Sequence, residues 1–101
     1  VWAYEIKIEN LGSTNVQLLN RKWSITNADG QTQIVEGPGV VGEQPLIQPG
    51  GSFEYTSGTP LKTPSGLMVG VYGMADSQGI EFNVNVPAFS LDSPHQTVEL
   101  N

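Results

Sequence analysis

The chain has 101 residues, with 10 acidic against 4 basic side chains, one histidine and no cysteine. That length predicts one domain, 1–101, around one core; the missing cysteines exclude a disulfide, a thiolate zinc site and a thiol nucleophile, and the sole His95 excludes a two-histidine site within one chain. A net charge of −6 repels phosphate backbones and anionic headgroups, so neither nucleic acid nor a membrane surface is the expected partner, and a neutral or basic protein is.

Trp2, Tyr4, Ile6 and Ile8 alternate with Ala3, Glu5, Lys7 and Glu9, the period of two that marks a half-buried strand. Asn10 to Thr14 is a turn. Val16, Leu19 and Trp23 fall at helical spacing, yet Trp23-Ser24-Ile25-Thr26 alternates and runs into Asn27-Ala28-Asp29-Gly30, whose Asp-Gly pair supplies the positive φ angles of a hairpin turn. Val16 to Asn27 therefore reads as a strand. Its early apolar residues, Val16 and Leu18, are out of phase with Leu19, Arg21, Trp23 and Ile25, which predicts a bulge near residues 18–20.

Thr32 to Glu36 returns along that strand with Ile34 inward, and an irregular stretch, Gly37 to Pro45, follows. Leu46-Ile47 is a short apolar piece, and Pro49-Gly50-Gly51 turns the chain into Ser52–Ser57, with Phe53 and Tyr55 in phase. Gly58 to Gly66 is a second long loop. Leu67 to Met74 is apolar on both parities, as a central strand is, and Gly70 and Gly73 mark a bend or the close approach of a ring or backbone. Ser77-Gln78-Gly79 leads into Ile80, Phe82, Val84 and Val86, a strand expected to end at Pro87. Phe89 and Leu91 pin the exit to the core, and Thr97 to Leu100 is a short edge strand.

About seven short strands without a helix predict an all-β fold, a two-sheet antiparallel β-sandwich with both tryptophans and all three phenylalanines inward. Composition agrees. Charged residues are 14% of the chain, and 29 Ser, Thr, Asn and Gln take their place, which suits the solvent faces of strands better than exposed helices. No apolar run is long enough for a membrane helix and no secretory leader precedes Val1, so the expected setting is cytoplasmic.

Gly37-Pro38-Gly39-Val40-Val41-Gly42 fits the G-x-G-x-x-G pattern of phosphate loops. In nucleotide-binding folds that pattern works by delivering phosphate to the N-terminus of the next helix, and here Pro45 and Pro49 stand where the helix would be. Two uses of the loop remain. One is a rigid apolar tip in which Val40 and Val41 project, with Tyr55 or Leu61 beside them, and which joins the 58–66 loop, or an edge strand, in holding a protein partner. The other is a small-ligand sensor, in which loop amides cradle a phosphate-rich nucleotide or a divalent cation is held; the acidic balance opposes the anion.

The candidate site is thus Gly37, Pro38, Gly39, Val40, Val41, Gly42 and Glu43, with Arg21, Trp23 and Tyr55 in support. Arg21, in phase with Trp23, is expected as a structural cation over a ring or beside a carboxylate. His95, three residues after Asp92, reads as a solvated loop histidine, and Asp29, Glu36 and Glu43 as solvated turn carboxylates. No catalytic residue, metal site or cofactor is assigned, and the chain is read as a non-enzyme.

Trp23-Ser-Ile-Thr-Asn-Ala-Asp-Gly30, the stretch Gly37 to Pro45, Pro49-Gly50, Phe53-Glu-Tyr-Thr-Ser-Gly58, Thr63-Pro64, Gly66-x-Met68-x-Gly70-x-Tyr72-x-Met74 and Pro87-Ala-Phe89 together resemble the ApaG family. The resemblance implies an immunoglobulin-like or fibronectin type III-like sandwich and a small cytosolic protein. It also implies an indirect association with cobalt and magnesium efflux, and relatives in which the domain binds protein partners. It brings no catalytic residues. Relatives usually carry a further N-terminal segment, so an edge strand of the family is expected to be missing, and many have a basic residue where this chain has Ser90.

Overall fold

The computed structural model describes residues 2–93 and 95–101. The alternating segments become β1 (Trp2–Asn10), β2 (Val16–Asn27), β3 (Thr32–Pro38), β4 (Leu46–Ile47), β5 (Ser52–Thr59), β6 (Gly66–Asp76), β7 (Glu81–Ser90) and β8 (His95–Leu100). They form a three-stranded sheet, β5-β1-β8, and a larger sheet, β3-β2-β6-β7, with β4 alongside β2. No described helix is long and apolar enough to cross a membrane.

Neighbouring strands are antiparallel except β1 and β8, which run parallel because the chain reaches β8 by crossing from the other sheet. The predicted bulge in β2 is present: its ladder to β6 slips between Leu18 and Asn20 and moves the buried file to the other parity. β6 is central, as its sequence predicts, with β2 on one side and β7 on the other.

The inward files meet in one core that includes Tyr4, Ile6, Ile8, Leu18, Trp23, Met68, Tyr72 and Phe89. The Trp23 ring meets Tyr72 and Phe89 edge-on, at 87° and 86°, the arrangement that aromatic quadrupoles favour. Gly70 makes room for it, since a Cβ there would lie 2.5 Å from Trp23 Cε3.

Several expectations change. Ile34 is 51% exposed, because the register sets Val35, not Ile34, opposite buried Trp23. Phe82 and Ile80 are exposed although in phase with buried Val86. The strand does not end at Pro87; it continues to Ser90 because β7 is an edge strand and its ladder slips between Met68 and Gly70. In the 27–31 turn only Gly30 has positive φ, so this is a three-residue loop in which Asn27 O accepts from Gly30 N. Asp76 to Ile80 repeats the design: in both turns the first side-chain oxygen accepts two downstream amides.

Candidate functional site

β3 and β4 both pair with β2 on the same side, opposite Asn20–Thr26 and Val16–Gln17 respectively. Residues 39–45 therefore loop out of one interrupted edge strand, facing the β2 bulge. The bulge supplies the anchors: Leu19 O accepts from Gly39 N and from Gln44 Nε2, both at 2.8 Å, and Leu18 N donates to Pro45 O at 3.0 Å.

Inside the loop, Val40 N donates to Glu43 O and Glu43 N to Val40 O, at 2.8 and 2.9 Å. These close a two-residue turn over Val41 and Gly42, whose φ angles of 46° and 80° belong to the primed type. Asn or Gly usually takes Val41's position; a β-branched residue with positive φ is a genuine outlier, and Val41 is the sole non-glycine example among the described residues. The amides of Gly39, Val40 and Glu43 are thus committed to protein carbonyls, not arrayed toward a phosphate.

Each glycine of the pattern has its own structural cause. Gly37 lies under Arg21, where a Cβ would sit 3.3 Å from Nη1; Gly39 combines φ +61° with Glu43 O only 2.2 Å from a would-be Cβ; Gly42 needs φ +80° in open space. Among the described residues Arg21 has no ring or carboxylate partner. Its Nη1 donates to Pro38 O at 3.1 Å and to Gly39 O at 2.9 Å, fastening the root of the loop.

The two valines separate. Val40 is fully buried and joins the core, so it is not part of an exposed tip; Val41 is 50% exposed. Glu43 is exposed beside it. Tyr55 lies deeper, its hydroxyl hydrogen-bonded to that of Tyr72 across the two sheets, and burial pushes both phenols well above their ordinary value of 10.0. Trp23 is a core residue whose Nε1 has no hydrogen-bond partner among the described residues.

The 58–66 segment does not join the glycine loop. Thr63 Oγ1 accepts from Ala28 N, which places the segment at the 27–31 turn, the far end of β3, and Leu61 lies against Gly66. Seven residues of β3 keep the two loops about 20 Å apart. Sequence reasoning passed over Leu46, 59% exposed and placed by its pairing with Gln17 on the glycine-loop side. Its neighbour Ile47 is buried; both residues of the pair are apolar, so only the pairing with β2 separates the outward one from the inward one.

Asp29 and Glu36 are exposed, as expected of solvated carboxylates. His95 lies on β8, not in a loop, with Nδ1 3.8 Å from Glu5. Among the described residues no three His, Cys, Asp or Glu side chains converge as a metal site requires.

Fold and loop together define a small two-sheet β-sandwich whose edge strand is interrupted by a tightly closed glycine-patterned turn. Comparison with known proteins agrees. The ApaG domain family matches residues 1–76. Protein ApaG of Paramagnetospirillum magneticum is 61% identical over 101 residues, all of this chain and 78% of that protein; Protein ApaG of Rhodospirillum centenum is 63% identical over 95 residues, 94% of this chain and 73% of that protein. An X-ray structure of a structural-genomics target superposes with a TM-score of 0.87 at 48% identity, covering 91% of this chain and 71% of its own. A Bordetella pertussis crystal structure gives 0.79, also at 48%, covering 83% and 68%. The chain belongs to the ApaG family.

Proposed function

We propose that the domain is a non-enzymatic interaction module that holds a protein partner through the tip of the glycine loop, with Val41 as its apolar contact. One observation carries this reading: Val41 is held in a backbone conformation that suits Asn or Gly, while half of it stays in solvent. Left-handed backbone costs a non-glycine residue about 1–2 kcal/mol, and no compensating full burial offsets it. A side chain kept at such a position serves something outside the fold. Leu46 adds exposed apolar surface on the same side.

A neutral or basic partner suits the charge. The outer face of the smaller sheet carries Glu5, Glu9, Glu54 and Glu99, and Lys7 is already drawn to Glu9 at 3.1 Å and Glu54 at 3.9 Å. The sensor reading is weaker because the amides of Gly39, Val40 and Glu43 are committed to protein carbonyls and Arg21 faces carbonyls. The reading includes a cytoplasmic setting and leaves any bearing on cobalt and magnesium efflux to the partner. The test compares partner recovery by the wild-type chain and by Val41→Asn, which relieves the backbone. Loss of a specific protein from a variant at least as stable supports the proposal; equal recovery removes the tip from the account.

A further inference from the structure

The register of the larger sheet places a second apolar surface on its outer face, well away from the glycine loop. Ser24 lies between Ile34 and Val69 in one cross-strand row, Lys22 between Glu36 and Val71 in the next, and Thr26 beside Leu67 in a third. Ile34, Leu67 and Val69 are 51%, 53% and 45% exposed, and Pro87, at the slipped part of the β6–β7 ladder, lies near Val69. This explains why β6 is apolar on both parities: one parity fills the core and the other faces outward.

We infer that this face binds a second copy of the chain, sheet against sheet about a two-fold axis near Val69. The charge distribution selects that occupant. Four carboxylates against one lysine crowd the outer face of the smaller sheet, whereas the centre of this face holds only Lys22 and Glu36, which are neighbours and cancel. A basic partner is drawn to the acidic face, not to this one. Two copies packed through the neutral face keep their acidic faces outward, separated by four sheets at spacings of about 10 Å, beyond the Debye length of about 8 Å at physiological salt. The arrangement is isologous, with the same face contributed by each copy.

Size sets the strength. Four strands at about 4.8 Å spacing give a width of about 19 Å, and the seven paired residues of β2 give a length of about 23 Å. That footprint falls short of the roughly 800 Å² per partner of a standard interface, so the dimer is weak, with a dissociation constant on the order of micromolar or larger.

Sedimentation equilibrium of the 101-residue chain from micromolar to about millimolar concentration is the test. The expected result is a reversible monomer–dimer equilibrium that tightens when salt rises from about 0.02 to 0.3 M, because the two chains carry like net charge. Val69→Lys and Ile34→Lys, both at exposed positions, should each weaken it at least tenfold, and Thr56→Lys on the acidic face should leave a dimer in place. Circular dichroism confirms folding; if Val69→Lys unfolds, Ile34→Lys decides. A monomer at every concentration, or a dimer that survives the decisive variants, overturns the inference.

Discussion

If the glycine pattern is a packing device, alanine at its three glycines must cost very different amounts. At Gly42 only the backbone is strained, since nothing lies within 4 Å of a Cβ, so Gly42→Ala costs about 1 kcal/mol. At Gly39 the left-handed angle is joined by a carbonyl oxygen 2.2 Å from the Cβ, on a backbone held by two turn hydrogen bonds. Relief requires opening the turn, which loses those bonds at about 1 kcal/mol each and part of the burial of Val40, worth roughly 1.5–3 kcal/mol in full. Gly39→Ala should therefore cost about 3–5 kcal/mol. Gly37→Ala meets only the end of the Arg21 side chain, which yields, and should stay within about 0.5 kcal/mol of wild type. Urea unfolding of the three variants measures the order directly; at a slope of about 1–1.5 kcal/mol per molar, the Gly39→Ala midpoint should fall by more than 2 M. Three similar values, or Gly42 as the most sensitive position, would refute the reasoning.

Three further outcomes follow from the same geometry. Arg21→Met keeps the stem but removes both bonds from Nη1, and should cost about 1.5–3 kcal/mol in denaturation, with faster hydrogen exchange at Gly39 and Val40 than elsewhere in the larger sheet. Val41→Asn should raise the melting temperature by several degrees, because relief of about 1 kcal/mol corresponds to roughly 4–8 °C in a domain of this size; a lower melting temperature would contradict the assigned turn. Tyr55 and Tyr72 have folded pKa values raised above the ordinary 10.0, so the folded state holds protons that the unfolded chain gives up. Their contribution is whole below pH 10 and is lost above it, at about 1.4 kcal/mol per pH unit per phenol; Tyr55→Phe should reduce that alkaline slope, and an unchanged slope would sink the assignment.

Much of this architecture was legible in residue order. The parity break after Leu18 announced the β2 bulge, and the two-sided apolar character of Leu67 to Met74 announced a central strand. Ile34 misled because Ile34 and Val35 are both apolar, and only the cross-strand register with Trp23 chooses between them. Pro87 misled because a proline stops a strand only where its neighbour needs the missing N–H, and β7 has a slip there. Within the site, the sequence grouped the loop residues but could not separate Val40 from Val41, since a primed turn sends adjacent side chains to opposite environments. Nor could it show that Arg21 reaches across Gly37 to two carbonyls, or that the 58–66 loop lies at the other end of β3: both depend on pairings between distant segments.

The central claim is that the Val41 tip is a contact surface. A photo-crosslinking side chain introduced at residue 41, with residue 29 at the opposite end of the sandwich as control, tests it inside cells that make the partner. The account predicts a discrete adduct with a protein partner from position 41 and none from position 29. No adduct at 41, or the same adduct from both positions, would contradict it.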